Sequence, residues 1–257
     1  MLNNPSTLLK HTVNVLVVDD MPEFWMSVKG LLDLFGIYSI HIAESTREAL
    51  KIINTSDKRF HTCVLDRGIN DVEQNEFYLL DKFAKSIPFI IMTARQDPEQ
   101  TFQCGIRGAK AFVRKGVQKF DYKLVSNINQ YAMQNILCPK YNEGQRDLFC
   151  KCLDTLVKSK PLSVGEWARC ADILERHLER EWKEHFGVNP LYPLYIFRLY
   201  SCLFAKIENY LQKISPQEQF SLDNIVEDLL RSCDYNRIFE YCLLNWSKIH
   251  SYIMRPA

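Results

Sequence analysis

The 257-residue sequence predicts a doubly wound α/β domain with a five-stranded parallel sheet, followed by an all-helical unit. Three observations carry this. Short β-branched or aliphatic runs alternate with amphipathic stretches from Val13 to about Asn135. The strand signal disappears after Pro139. The length fits two domains at about 100–200 residues each. Taken in order, Val13–Val18 reads as a buried strand, and Glu23–Phe35 as a helix with Trp25, Val28, Leu31 and Phe35 on one face. Ser39–Ala43, Thr62–Leu65, Phe89–Met92 and Ala111–Arg114 are the next strands, with helical text between them. Such alternation demands right-handed crossovers and a sheet covered on both faces. A last helix, Gln118–Asn135, carries Phe120, Leu124, Ile128 and Tyr131 at helical spacing until Pro139 breaks it. The expected division is residues 1–136, a linker at 137–145, and a helical domain at 146–257.

Composition excludes several classes. A hydrophobic share of 47% with 25% charged residues is that of a globular chain. No apolar run approaches the roughly 20 residues that span a bilayer, and the first residues lack the order of a secretory signal, so a cytoplasmic protein without membrane association is expected. Nine cysteines, an odd number without Cys-x-x-Cys spacing, form neither a disulfide framework nor a zinc site. Cys150 and Cys152 read as neighbours on a helix. A formal charge of +1 leaves any attraction to nucleic acid local.

Ligands collect at the carboxyl ends of the strands in open parallel sheets. There the first strand ends in Asp19-Asp20, the third in Asp66, the fourth in Thr93-Ala94 and the fifth in Lys115. Three carboxylates on one rim repel one another unless a cation or a lysine neutralises them. Their hard oxygens suit Mg²⁺. Asp66 is then placed to attack a phosphoryl group whose oxygens are held by Thr93 and Lys115. The bland reading is a solvated acidic rim, with Thr93 an ordinary strand-end hydroxyl and Phe112 simple core.

At these residues the sequence resembles the response-regulator receiver domain, over about residues 13–135. The landmarks are Asp19-Asp20 after Val-Leu-Val-Val, Asp66 after Cys-Val-Leu, Thr93-Ala94 after Ile-Ile-Met, and Gly-Ala-Lys-Ala-Phe-Val-Arg-Lys ending in Lys115. The resemblance implies a flavodoxin-like fold and a regulator that is no enzyme beyond assisting its own phosphoryl transfer and dephosphorylation. Asp66 becomes the phospho-acceptor, with Thr93 and Lys115 assisting. Asp19, Asp20, Asp66 and the carbonyl of Gly68 become Mg²⁺ ligands. Thr93 and Phe112 become the switch pair. A histidine kinase or phosphotransfer protein is the implied donor. Two positions depart from the family: Arg67-Gly68-Ile69-Asn70-Asp71 replaces its usual Met-Pro and later Gly after the acceptor, and Gly116 replaces the proline after its lysine.

In the second half, Ser163 and Glu166 form a capping-box pattern for a short helix ending near Ala171. A second helix runs from about Leu174 to His185 before Gly187. Leu174, Leu178 and Trp182 make its apolar stripe; Arg176, His177, Arg180 and Lys183 lie off it. Two helices so joined read as a helix-turn-helix, whose second helix enters the major groove. Roughly Leu162–Leu199 resembles the first half of an AraC-type DNA-binding domain. Phe220–Val226 looks like the start of a faded second unit, whose recognition helix, about Asn236–Asn245, serves better as a packing or dimer surface. From Pro139 to Ala257 there are 16 Lys plus Arg and 16 Asp plus Glu, without the basic excess of most phosphate-tracking domains. Arg176 with Glu179, and Arg180 with Glu184, make a solvated salt-bridged face the bland alternative. The expectation is a phosphorylation-dependent transcription regulator of a two-component system that binds DNA as a homodimer. The rival is a receiver whose helical output docks on a protein. An enzymatic output is weaker, because the second half has no phosphate loop, metal cluster or nucleophile–base pair.

Overall fold

The computed structural model describes residues 5–69, 77–94, 97–137, 146–213, 220–231 and 233–254. Its strands are β1 (Val13–Val18), β2 (Tyr38–Ala43), β3 (Thr62–Asp66), β4 (Phe89–Thr93) and β5 (Ala111–Arg114). All pair in parallel in the order β2-β1-β3-β4-β5. The helices are α1 (Pro5–Leu9), α2 (Pro22–Asp33), α3 (Thr46–Thr55), α4 (Tyr78–Phe83), α5 (Pro98–Ile106) and α6 (Phe120–Leu137), then α7 (Arg146–Ser159), α8 (Val164–Cys170), α9 (Glu175–Phe186), α10 (Leu191–Lys213), α11 (Leu222–Arg231), α12 (Cys233–Leu244) and α13 (Trp246–Met254).

Every residue of β1 is buried, because helices cover both faces of a parallel sheet. Alternation then divides its side chains. Val13, Val15 and Val17 enter a cluster with Val28 and Leu32 of α2 and Leu124 and Ile128 of α6. Leu16 and Val18 face the opposite cluster, with Ala49 of α3 and Leu80 of α4. Pro22 opens α2, where its missing N–H costs nothing. On α2 it is Leu32, rather than the expected Leu31, that is fully buried beside Val28 and Phe35; Trp25 and Leu31 lie at the margin of the cluster. Ser45 and Asp97 cap α3 and α5 by accepting from the Glu48 and Gln100 amides.

The helical half is not held apart from the sheet. Helices α10 and α13 pack on α6, α1 packs on α11, and one apolar cluster runs from Val13 to Ile253. Rings interlock across this junction: Phe35 meets Phe220 at 4.8 Å and Tyr210 at 6.2 Å between centroids. Polar pairs fix its register, because a buried polar group requires a partner. Tyr200 donates to Thr12 Oγ1 (2.6 Å), Asn129 of α6 to Glu208 (3.1 Å), and Tyr252 to the carbonyl of Leu137 (2.9 Å). The Asn14 amide donates to Nδ1 of His61, whose Nε2 donates to the Ile253 carbonyl, both at 2.9 Å. The contacts of Thr12, Asn14 and His61 lie at the amino ends of β1 and β3, and those of Asn129 and Leu137 on α6. Of the expected linker, only Leu137 falls among the described residues. No described helix is long and apolar enough to cross a membrane. Cys150 and Cys152 both lie on α7, and neither is in a disulfide.

Candidate functional site

The acidic rim forms because β1 and β3 are neighbours whose carboxyl ends lie side by side, Val18 opposite Leu65. The next residue of each strand is acidic. Asp19 is fully buried, held by its amide on the Ala43 carbonyl (3.0 Å) and by its Oδ1, which accepts from the Met21 amide (2.9 Å). Asp66 is buried, and Asp20 is exposed beside them. One carboxylate oxygen from each of the three lies within 4.8 Å of the others. From the end of β5, Lys115 reaches back into the cluster, 2.8 Å from Asp19 Oδ2 and 3.0 Å from Asp66 Oδ1. Its amide bonds the Thr93 carbonyl (2.8 Å), tying the lysine to the end of β4.

One ammonium against three carboxylates leaves a formal excess of two negative charges. Burial pushes the Asp19 carboxyl above its ordinary value and the nearby Asp66 adds to this, while the hydrogen bonds from Lys115 and the Met21 amide oppose it. An all-oxygen donor set with that excess fits a hard divalent cation such as Mg²⁺, and Asp19, Asp20 and Asp66 are the side chains that would hold it.

Gly68 is exposed; its amide donates to Asp66 Oδ2 (3.2 Å), and a Cβ there would stand 3.1 Å from that oxygen. A glycine thus lets the loop close over the acceptor. Gly116 adopts φ 72°, a region closed to proline, which accounts for the departure after Lys115. Thr93 is half-buried at the rim, and Phe112 on β5 is 37% exposed. The structure thus brings together Asp19, Asp20, Asp66, Lys115 and Gly68, and leaves Phe112 on the outer surface. The loop residues Asn70 and Asp71 lie outside the described residues.

Two neighbours were not singled out from the sequence. Arg67 pairs with Asp97 (3.6 Å), joining the acceptor loop to α5. Phe24, in the first turn of α2, sets its ring 3.9 Å from the Lys115 ammonium. Its only sequence signal is its place two residues after Pro22, off the apolar stripe of α2.

In the second half, α8 and α9 are joined by residues 171–174. Ser163 caps α8 by accepting from the Glu166 amide (3.1 Å), and Glu166 accepts in return from the Leu162 amide (2.8 Å), one residue before the cap. Gly187 ends α9 in the left-handed conformation. The stripe that packs is Leu178, Trp182 and Phe186; Leu174, expected on it, is 61% exposed at the cap. Trp182 stacks near Trp167 and Phe149 at 5.1 and 5.6 Å, building the α7–α8–α9 core. Arg176, Arg180 and Lys183 are exposed and His177 half-buried, all off the packed stripe. Arg180 and His177 both pair with Glu181, at 3.0 and 3.3 Å, which lowers that carboxyl from its ordinary value. On α12, Ile238 and Cys242 are buried, Tyr241 packs on Tyr195, and Leu244 is 86% exposed.

Residues 15–126 match the family model of the response regulator receiver domain. Among solved structures, the chain is similar to a receiver domain protein of Methanospirillum hungatei, at 24% identity over 48% of this chain and 95% of that one, with a TM-score of 0.42. It is similar to a receiver domain protein of Clostridium thermocellum at 23% identity, over 49% and 98%, with a TM-score of 0.43. A response regulator of Burkholderia pseudomallei, solved with a phosphorylated aspartic acid and a calcium ion, matches at 18% identity over 65% and 97%, with a TM-score of 0.39. No curated protein matches.

Proposed function

Residues 15–126 being a response regulator receiver domain, we propose that the chain is a phosphorylation-dependent regulator of a two-component system, with Asp66 as phospho-acceptor. The observation that carries this is the buried Lys115 ammonium between Asp19 and Asp66, with Asp20 beside them. An Asp66 oxygen attacks phosphorus on a phosphohistidine of the donor kinase or phosphotransfer protein; the new O–P bond forms as the P–N bond breaks and the imidazole leaves. Lys115 then pairs with a phosphoryl oxygen, and the Thr93 hydroxyl turns inward to another, drawing Phe112 from its exposed position. Asp19, Asp20, Asp66 and the Gly68 carbonyl would hold Mg²⁺, which would supply neutralisation of charge on the transferring group.

In this reading residues 1–136 are the receiver, 137–145 a connecting segment, and 146–257 the output, which binds DNA as a homodimer and regulates transcription in the cytoplasm. Arg176, His177, Arg180 and Lys183 contact DNA, supported by the placement of all four off the packed face of α9.

The acceptor is tested with a small phosphodonor on a phosphate-affinity gel: wild type shifts and Asp66→Asn does not, while equal shifts refute it. Asp20→Asn weakens Mg²⁺ binding, read from Trp25 fluorescence; identical titrations refute the ligand set. The output is tested by selecting genomic fragments with and without beryllium fluoride plus Mg²⁺. Enrichment that rises with the mimic, and falls with its salt slope in Arg176→Ala/Arg180→Ala, supports DNA reading. No enrichment by folded protein overturns it.

A further inference from the structure

The Lys115 ammonium has three N–H donors. Two face carboxylates, Asp19 at 2.8 Å and Asp66 at 3.0 Å. On a further side lies the Phe24 ring, its centroid 3.9 Å from Nζ, well inside the range of a cation–π contact. The ring is held there by its backbone: α2 begins at Pro22, and the Phe24 amide donates to the Met21 carbonyl (3.1 Å) in the loop that also caps Asp19. Phe24 is half-buried beside the ammonium, and Lys115 itself is 8% exposed.

We infer that Phe24 is a positioning residue for phosphoryl chemistry at Asp66: its ring takes the place of water against Lys115 and keeps the ammonium aimed at the acceptor. The inference rests on the reading of Asp66 as phospho-acceptor. A lysine without the ring takes up water and samples other rotamers, so less of it is in place for a phosphoryl oxygen. The same loss admits water to the phosphorylated state. There a water oxygen attacks phosphorus, the P–O bond to Asp66 breaks, the Asp66 carboxylate is released, and the water proton passes to solvent with inorganic phosphate. Phe24 therefore sets both how tightly the phosphoryl group is held and how long it lasts.

The test compares full-length wild type, Phe24→Leu, which keeps apolar bulk without an aromatic face, and Phe24→Tyr, which keeps the face. In the protein without added ligand, ring current shifts the Lys115 Cε-methylene resonances upfield; the shift disappears in Phe24→Leu and persists in Phe24→Tyr. Beryllium fluoride with Mg²⁺ binds Phe24→Leu about 2- to 30-fold more weakly, the range between an exposed and a desolvated cation–π contact, and phospho-Asp66 decays faster by a similar factor. Phe24→Tyr behaves as wild type. Phosphorylated wild type with all three proteins alike in affinity and decay overturns the role of Phe24 alone. Wild type that takes up no phosphoryl group overturns the acceptor reading and this inference with it.

Discussion

Replacing Phe35 by alanine tests whether the sheet and the helical half share one core in energy as well as in space. Phe35 is 0% exposed and lies edge-on to Tyr38 on its own side of the junction and to Tyr210 and Phe220 on the other, at 6.3, 6.2 and 4.8 Å. Deleting a buried ring costs about 3–5 kcal/mol in transfer and cavity energy. Against a typical total of about 5–15 kcal/mol this is a large fraction. For a chain of this length it lowers the unfolding midpoint by about 6–20 °C. The decisive assay is hydrogen exchange of Phe35→Ala, comparing β1 with α10. If the cluster from Val13 to Ile253 is one cooperative unit, amides of both elements lose protection by the same free energy. Loss confined to α10, with β1 as protected as in wild type, would refute the shared core.

His61 is buried, and its imidazole is pushed from the ordinary 6.5 down to about 3 by loss of solvation, opposed by its bond to Ile253 and aided by Arg59. The unfolded chain therefore binds a proton that the folded one does not once pH falls below 6.5, so stability drops on acidification, by about 2 kcal/mol between pH 7 and pH 5. Urea unfolding of His61→Gln, which keeps a donor toward Ile253, loses that much less over the same interval; equal losses contradict the assignment. Gly68→Ala brings a Cβ to 3.1 Å from Asp66 Oδ2 and slows phosphorylation by a small phosphodonor at an unchanged unfolding midpoint. An unimpaired rate would show that the loop has slack. Gly187 sits at φ 69° with open space where a Cβ would go, so Gly187→Ala carries a backbone cost alone, about 1–2 kcal/mol. Calorimetry should show a midpoint lowered by about 2–8 °C.

The inner strands were legible because burial on both faces writes β1, β3 and β4 as mostly apolar runs, whereas the edge strands β2 and β5 are only partly buried; each expected strand is present to within a residue. The rim was legible for a related reason, since a carboxylate directly after such a run has nowhere to go but the end of the sheet. Edges of faces were harder. Leu31 and Leu32 are equivalent in helical periodicity to within one position, and what selects Leu32 is the direction from which the sheet approaches. Leu174 reads as the first residue of a stripe, yet as the cap of α9 it precedes the turn that faces the core. Phe24 was invisible, since its partner lies 91 positions away and an aromatic beside a lysine leaves no local pattern. The junction of the halves was unreadable for the same reason. Asn14, His61 and Asn129 are scattered polar residues until the fold links Asn14 through His61 to Ile253, and Asn129 to Glu208.

Helix α6 has consequences for modularity. Its Leu124 and Ile128 serve the sheet's core, while α10 and α13 lie against it from the other half. A cut after α6 would give a fragment with a full complement of strands but an apolar flank and an Asn129 that keeps the Tyr38 hydroxyl on its Oδ1 while its Nδ2 loses Glu208, and grafting a foreign output there would require that output to reproduce the contours of α10. The chain is thus a poor donor of interchangeable parts. The same continuity bears on motion: because α10 packs directly on α6, any displacement of α6 would press on α10 without an intervening segment, as a rigid linkage carries displacement.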